Sequence, residues 1–185
     1  MKYKTVVIDP PWSVNPIGDL RCLKFDVRNK YSAMNKQELL EFPINDYAED
    51  ESYIFLWVTN SKMKEQSILE VGFELLREWG FKFHNMITWT KSQGFSAWSL
   101  LRNHTEHCLF GYRGKIDQTK PALMSNHIHT TTQTKHSQKP YVFYQKLREW
   151  TPEPRIDLFA RQAHYGFDGW GDEYVGEGAL AEWLE

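Results

Sequence analysis

The segment Asp9-Pro10-Pro11-Trp12 combines residue types that suit chemistry on a planar amine. It follows a short apolar run, residues 5–8, so Asp9 would offer a carboxylate at the end of a strand. The two prolines fix φ and remove two backbone donors, which leaves the loop with carbonyl acceptors. Asp9 and the Pro10 carbonyl could together accept both hydrogens of an exocyclic amine, while Trp12 would stack on the attached ring or wall the pocket.

An exocyclic amine on an aromatic base is a poor nucleophile, because its lone pair is delocalised into the ring. If Asp9 and the Pro10 carbonyl accept both hydrogens, the nitrogen can become tetrahedral and its lone pair can point at an electrophile. This arrangement acts by positioning and electrostatic preorganisation, and Pro11 would keep the loop rigid. The pattern predicts transfer of a group to a base amine; a purely structural turn at a strand end is the alternative.

The composition is that of an ordinary globular chain. Its 185 residues carry 22 Lys plus Arg against 24 Asp plus Glu, a net charge of −2, which argues against a polybasic protein. Residues 113–139 nevertheless hold five Lys or Arg, three His and one Asp, which makes them the best candidate for a phosphate-facing surface. Cys22 and Cys108 predict no disulfide framework. No segment approaches the roughly 20 apolar residues of a membrane span, so we expect a cytoplasmic protein without membrane contact.

Short apolar runs alternate with segments of helical periodicity. The runs cover residues 5–8, 53–58, 86–89, 108–112 and 156–159, and the helical patterns cover 35–42, 62–79 and 140–150. Several runs lack strict alternation, as expected of strands buried on both faces. The order predicts an α/β fold with a mostly parallel sheet flanked by helices. Residues 12–33, 92–103 and 113–139 are predicted loops, and residues 1–185 are expected to form one domain with an acidic tail over 174–185.

Beyond the first motif, the chain resembles the S-adenosylmethionine-dependent adenine-N6 methyltransferases of the family named for the seventy-kilodalton catalytic subunit of the mRNA adenosine methyltransferase. That family includes bacterial and phage members that modify adenine in DNA. The segments that carry the resemblance are residues 9–12, 31–34, 54–59, 79–81, 87–91, 103–109, 136–140, 157–161 and 169–173. The resemblance implies a Rossmann-like methyltransferase with circularly permuted motifs, in which the catalytic strand comes first and the main cofactor strand comes near the C-terminus.

The resemblance also implies roles for individual residues. Asp9, Pro10, Pro11 and Trp12 match the catalytic motif. The residues expected to hold S-adenosylmethionine, and its product S-adenosylhomocysteine, are Asp9, Lys139, Phe159, Ala160, Arg161, Asp172 and Glu173. Those expected to contact the substrate base are Tyr31, Trp57, Glu106 and His136. No metal is expected, since two cysteines give no zinc-binding pattern.

Together these observations predict methyl transfer from S-adenosylmethionine to N6 of adenine in nucleic acid, with DNA preferred over RNA by analogy with the short bacterial and phage members. Transfer to RNA adenosine, to single-stranded DNA or to the cytosine amine are the alternatives within this class. A non-catalytic nucleic-acid-binding subunit is the alternative outside it. Site specificity would come from the three loops, from a second copy of the chain in a homodimer, or from both. The expected host is a bacterium or a phage-infected cell.

Overall fold

The computed structural model describes residues 1–14, 33–95, 103–116, 125–131, 138–172 and 174. The elements within these residues are β1 (Tyr3–Ile8), α1 (Lys36–Leu40), α2 (Ile44–Tyr47), β2 (Ala48–Val58), β3 (Lys62–Met63), β4 (Gln66–Ser67), α3 (Ile68–Glu78), β5 (Lys82–Phe95), β6 (Asn103–Tyr112), β7 (His127–Thr130), α4 (Tyr141–Trp150), β8 (Arg155–Leu158) and β9 (Asp168–Trp170). Seven of the described strands form one sheet in the order β7-β5-β6-β2-β1-β8-β9, and β3 and β4 form a separate hairpin.

Strand direction in the sheet is mostly uniform. β1 pairs in parallel with β2 and β8, β8 with β9, and β5 with β7. Only β6, among the described strands of this sheet, runs the other way, because it pairs antiparallel with both β2 and β5. The expected α/β fold with a mostly parallel sheet is confirmed. The first strand, β1, lies beside β8 from the far end of the described chain, so loops distant in sequence meet at one edge.

Each face of the sheet has its own apolar layer. Val6 and Ile8 of β1 pack in the cluster that includes α1 and α3, whereas Val7 packs with α4 on the opposite face. The last seven residues of β2 are all buried, which explains why its sequence shows no alternation. Because side chains alternate along a strand, Asp9 faces the same side as Val7, toward α4.

The helix predicted over residues 62–79 begins later than expected, because residues 62–67 form the hairpin of β3 and β4. Ser67 caps α3: its Oγ accepts from Glu70 N at 3.2 Å, and the Glu70 carboxylate accepts from Ser67 N at 2.8 Å. This capping box satisfies main-chain donors at the first turn and fixes the start at Ile68. Gly80, with φ of 78°, follows the C-cap Trp79 and ends the helix at the predicted boundary, residue 79.

Three other expectations differ from the structure. The predicted loop 113–139 contains β7, and the predicted loop 92–103 is shortened because β5 extends to Phe95 and β6 begins at Asn103. Phe159, expected to end the last apolar strand, lies in a turn after β8 with φ of 59°. The short α2 and β9 give too few residues for a periodic signal. None of the described helices is both long and apolar enough to cross a membrane.

A buried polar cluster joins α4 to β8. Tyr144 Oη donates to Asp157 Oδ2 at 2.9 Å, and the His164 ring stacks on Tyr144 with a centroid distance of 3.4 Å. Burial raises the pKa of Asp157 to about 8, although the hydrogen bond from Tyr144 opposes this rise. Burial lowers the pKa of His164 to about 4. At neutral pH the cluster is therefore mostly uncharged, as suits its place in the core.

The substitution Asp157→Asn tests this protonation state. Between the ordinary carboxyl pKa of 3.8 and the raised value of about 8, folded protein holds a proton that the unfolded chain releases, so wild-type stability falls as pH rises. The variant keeps an acceptor for Tyr144 and lacks this proton uptake. We expect the Tm of the wild type, relative to that of the variant, to decline between about pH 5 and pH 8. Thermal unfolding at several pH values measures it, and a Tm difference that is constant with pH would contradict a buried neutral Asp157.

Candidate active site

The loop after β1 is held by main-chain hydrogen bonds. Trp12 N donates to Pro10 O at 2.8 Å, and Met34 N donates to Pro11 O at 2.8 Å. The Pro10 carbonyl therefore already accepts one hydrogen bond, although the two prolines suggested acceptors without competing donors. A carbonyl oxygen has two lone pairs, so Pro10 O can still accept from an amine.

Trp12 anchors this loop to the neighbouring strand. Its side chain is 8% exposed, and its indole Nε1 donates to the carbonyl oxygen of Trp57 at 3.2 Å. The ring packs in the same cluster as α1 and α3, on the opposite face from Asp9. With so little exposed surface, the ring offers no open face for a base, so stacking by Trp12 is not supported. The Trp12 ring instead supports the loop from the side of α1 and α3.

Four charged side chains form a continuous row, which we call the charged row: Asp9, Lys139, Glu106 and Lys91. Lys139 Nζ lies 2.9 Å from Asp9 Oδ2 and 3.1 Å from Glu106 Oε2. Lys91 Nζ pairs with the other oxygen of Glu106, Oε1. Lys139 is only 8% exposed, so two carboxylates replace much of the water around its ammonium. The structure thus brings together three predicted site residues and adds Lys91.

Burial and pairing set the protonation states in the charged row. Burial lowers the pKa of Lys139, but Asp9 and Glu106 together raise it above its ordinary value, so the ammonium stays protonated. Burial raises the pKa of Glu106, but Lys139 and Lys91 together lower it by more. Its pKa is therefore below the ordinary value, and this carboxylate stays ionised. Burial also raises the pKa of Asp9, and there Lys139 does not fully compensate. Asp9 is therefore the carboxylate of the row that accepts a proton more readily.

Trp57 lies beneath Lys139 rather than beside a substrate base. Its ring is 1% exposed and packs edge to face against Trp89 and Phe143, with centroid distances of 6.1 and 5.0 Å. Lys139 Nζ lies 5.2 Å from the centroid of the Trp57 ring, a cation–π contact. Because β2 is buried on both faces, the position of Trp57 does not support the predicted contact with the base, which stays a prediction. The ring supports the ammonium instead.

The turn after β8 lies beside the loop after β1. Asp9 N donates to Leu158 O at 3.4 Å, which places the first residues after β1 and β8 side by side. Phe159 has φ of 59°, a left-handed conformation that is uncommon for a bulky residue and often marks functional turns. Arg161 is partly buried, and its charge lowers the pKa of Asp9, against the larger effect of burial.

The end of β9 packs directly on this turn. Ala160 N donates to Trp170 O at 3.0 Å, and a Cβ on Gly171 would lie 2.5 Å from Ala160 O. Only glycine permits that approach. The rings of Phe159 and Trp170 meet edge to face at 5.5 Å, and Trp170 is 43% exposed. Aromatic faces, a guanidinium and the exposed carboxylate of Asp172 thus surround one turn. These groups fit the adenine, the amino-acid carboxylate and the ribose hydroxyls of S-adenosylmethionine.

Some expectations concern residues outside the described part of the chain. Tyr31, His136 and Glu173 lie there, so their roles remain predictions. Cys22 also lies outside the described residues. Among the described residues, no group of three or more His, Cys, Asp and Glu is arranged to hold a metal ion. The expectation that no metal takes part remains a prediction.

Lys91 is the member of the charged row that is not among the predicted site residues; as a lysine near a strand end it suggested at most a contact with phosphate. Trp89 and Lys91 are two residues apart on β5, and Glu106 of β6 stands directly opposite Trp89. The alternation of side chains along a strand would have shown that Trp89 and Lys91 share a face. The register of β5 against β6, which places Glu106 beside them, has no local signature in the sequence.

A comparison with known protein families shows which family the chain belongs to. The family model MT-A70 matches residues 3–173. The chain belongs to the MT-A70 family. The resemblance inferred from the motifs is thereby confirmed, and the family is one of methyltransferases.

Relatives of different lengths share this MT-A70 unit. The type II methyltransferase M.MunI of a Mycoplasma species is 25% identical over 190 residues, which cover 93% of this chain and 78% of M.MunI. An MT-A70-like N(6)-adenosine-methyltransferase of Arabidopsis thaliana is 28% identical over 98% of this chain. The human N(6)-adenosine-methyltransferase catalytic subunit METTL3 is 27% identical over 86% of it. The match spans only 25% of the Arabidopsis protein and 26% of METTL3.

The substitution Gly171→Ala tests the contact between β9 and the turn after β8. Because the added Cβ would meet the main chain of Ala160, we expect a loss of about 1–3 kcal/mol in stability and weaker binding of S-adenosylhomocysteine. Thermal unfolding and calorimetric titration measure both. Gly80→Ala is the matched control. Gly80 has a φ of 78°, which also disfavours alanine, but it lies at the end of α3, away from this turn. Equal affinities in both variants would contradict a cofactor site at this turn.

Proposed function

We propose that this MT-A70 protein transfers a methyl group from S-adenosylmethionine to the N6 amine of adenine in nucleic acid. The observation that carries the proposal is the setting of Asp9. Asp9 directly precedes Pro10 in the chain, its carboxylate is paired with the buried ammonium of Lys139, and its backbone neighbours the turn after β8. Two acceptors for an amine, Asp9 and the Pro10 carbonyl, thus lie beside the turn whose residues would hold the cofactor.

Phe159, Ala160, Arg161 and Asp172 are described residues that would hold S-adenosylmethionine, with Glu173 following them in sequence. Asp9, which is also predicted to contact the cofactor, lies next to the turn after β8 and is paired with Lys139. When bound, the cofactor supplies an electrophilic methyl group on a sulfonium. The ring of Phe159 suits the adenine, the guanidinium of Arg161 suits a carboxylate, and Asp172 can accept from ribose hydroxyls. These groups lie on the turn after β8 and at the end of β9, which supports the proposal.

Asp9 and Pro10 would orient the amine. Lys139 holds Asp9 Oδ2 at 2.9 Å, so Asp9 Oδ1 is the oxygen directed to one amine hydrogen, and Pro10 O accepts the other. Asp9 and Pro10 would thereby direct the nitrogen lone pair at the electrophilic methyl group that the bound cofactor would supply. The alkylated amine is acidic, and one of its protons passes to Asp9 Oδ1. The raised pKa of Asp9, caused by its burial, favours this uptake, whereas Lys139 stays protonated and is not the base.

DNA is the substrate that we propose first. The match covers 78% of the type II methyltransferase M.MunI but about a quarter of the N(6)-adenosine-methyltransferases, so much of what those proteins contain lies outside the shared unit. In a duplex the adenine amine is paired, so the base would have to leave the stack to reach Asp9. Glu106, an ionised acceptor in the same row, supports the predicted contact with the base. A homodimer and a cytoplasmic location remain predictions from the sequence.

The central experiment is incubation with labelled S-adenosylmethionine and duplex DNA, single-stranded DNA, single-stranded RNA or no nucleic acid. The products are digested to nucleosides and separated by mass. We expect N6-methyladenine in DNA. Methylated adenosine in RNA would keep the mechanism and change the substrate, and methylated cytosine would change the base. If the protein shows no methyl transfer and does not bind the cofactor, the result would instead support the non-catalytic subunit.

Asp9→Asn tests the proposed acceptor. The amide keeps the size of the side chain but loses the charge and one acceptor site, so we expect the single-turnover rate to fall by roughly 10²-fold or more. The affinity for S-adenosylhomocysteine should change by a modest factor only. Asp46→Asn, at an exposed position of α2, is the matched control. Unchanged turnover in Asp9→Asn would refute the mechanism.

A polyanionic substrate also needs cationic contacts outside the pocket. The hairpin of β3 and β4 follows β2 at the edge that carries Asp9. Met63 anchors it at 6% exposure, and Lys62 and Lys64 are exposed. We expect Lys62→Gln/Lys64→Gln to lower the slope of log affinity against log salt for duplex DNA by about 2. Lys2→Gln/Lys4→Gln, at the opposite edge of the sheet, should leave the slope unchanged. Binding titrations at several salt concentrations decide, and equal slopes in the two variants would exclude the hairpin from the interface.

A further inference from the structure

The charged row alternates in sign; it is most buried at Lys139, and the Asp9 side chain at its far end is 21% exposed. Lys91 is 30% exposed at the side chain, Glu106 is 17%, and Lys139 is 7%. Asp9, beyond Lys139, is the carboxylate that meets the substrate in the proposed reaction. The row therefore connects a partly solvated lysine to the reacting carboxylate through three ion pairs.

Two strands fix Lys91 at the outer end of this row. Trp89 of β5 pairs in register with Glu106 of β6, and Lys91 lies two residues further along the same face of β5. Its Nζ lies 4.5 Å from the centroid of the Trp89 ring and pairs with Glu106 Oε1. A cation–π contact and an ion pair together hold the side chain toward the row instead of toward solvent.

The two oxygens of Glu106 are divided between two cations. Oε1 pairs with Lys91, and Oε2 lies 3.1 Å from Lys139 Nζ. With Lys91 present, the four groups carry two positive and two negative charges. Without it, Glu106 would depend on Lys139 alone, and the same ammonium would have to neutralise two partly buried carboxylates. Lys139 would then move toward Glu106 and interact less with Asp9.

We propose that Lys91 is a positioning residue for methyl transfer, which acts through Glu106 and Lys139 on the carboxylate of Asp9. This role rests on the proposed function, because it assumes that Asp9 accepts the amine. It differs from a direct contact of Lys91 with phosphate, the role that a lysine at a strand end would otherwise suggest. The pairing of Lys91 with Glu106 and Trp89 directs its ammonium to the row.

Asp9 is surrounded by other ionisable groups that influence its protonation. They come from β6, from the segment before α4, from α4 itself, and from β8 and its turn: Glu106, Cys108, Lys139, Tyr144, Asp157 and Arg161. Lys139 and Arg161 favour the ionised form of Asp9, whereas Glu106 opposes it. Tyr144, Cys108 and Asp157 are held neutral at pH 7 by their raised pKa values, which burial causes. Loss of a cation from the row should thus make Asp9 harder to ionise.

A titration of Asp9 in the cofactor-free protein tests the proposal without reference to activity. The ¹³Cγ signal of Asp9, assigned with Asp9→Asn, is followed against pH in wild type, Lys91→Met and Lys91→Arg. We expect the midpoint to rise in Lys91→Met and to return toward the wild-type value in Lys91→Arg, which keeps the charge. Lys82→Met, at the exposed start of the same strand, is the matched control and should leave the midpoint unchanged. An unshifted midpoint in Lys91→Met would overturn the proposal; Lys91→Gln replaces it if the methionine variant does not fold.

Single-turnover rates on the nucleic acid that the wild type methylates provide the second measurement. Lys91→Met should lower the rate about tenfold at acid pH, shift the acid limb of the pH profile upward, and leave the KM for nucleic acid nearly unchanged. In a Glu106→Gln background the same substitution should have little further effect, because the connection is already broken. An equal effect in both backgrounds, or a change confined to KM and its salt dependence, would show that Lys91 acts directly on the substrate. If the wild type methylates nothing, the proposed function fails, and the titration of Asp9 still decides whether Lys91 acts on it.

Discussion

The ammonium of Lys139 lies where little water reaches, and the carboxylates of Asp9 and Glu106 make its burial tolerable. The rest of the site depends on this interaction. Three segments that are far apart in sequence must converge on one nitrogen atom: the loop after β1, the strand β6 and the segment before α4. Removal of one partner would leave a charge without compensation, so the geometry of the carboxylates is coupled to the integrity of the core beneath them.

The direction of the strands explains how the convergence is achieved. β1, β2 and β5 run in parallel, so their last residues and the loops that follow lie at one edge of the sheet. β6 runs the other way, and its first half therefore lies at that same edge, with His107 opposite Val58. Glu106 can meet Lys139 and Lys91 only because β6 is reversed. The one antiparallel strand of the described sheet thus contributes to the candidate site as well as to the fold.

The layer beneath the charged row is apolar or neutral. Trp57, Trp89 and Phe143 pack under the two lysines, and the faces of both tryptophans lie toward an ammonium. Further along this face, Asp157 and His164 are buried in neutral forms. The charges of the row therefore lie at the edge where a polar substrate would bind. A neutral support raises the strength of the ion pairs above it, because electrostatic interactions are stronger where the local dielectric constant is low.

The sequence alone determined the class of fold, the main strands and the helix before β8, because apolar periodicity and helix-terminal residues are local signals that survive folding. It also determined the family, through motifs such as residues 9–12 whose residue types suit one kind of chemistry. Tertiary structure alone decided which faces are covered and which strands are neighbours. Trp57 is a core residue because α4 covers β2, and Lys91 belongs to the site because β5 and β6 pair in one register. Burial and register are set by contacts between distant segments, and no local pattern in the chain encodes them.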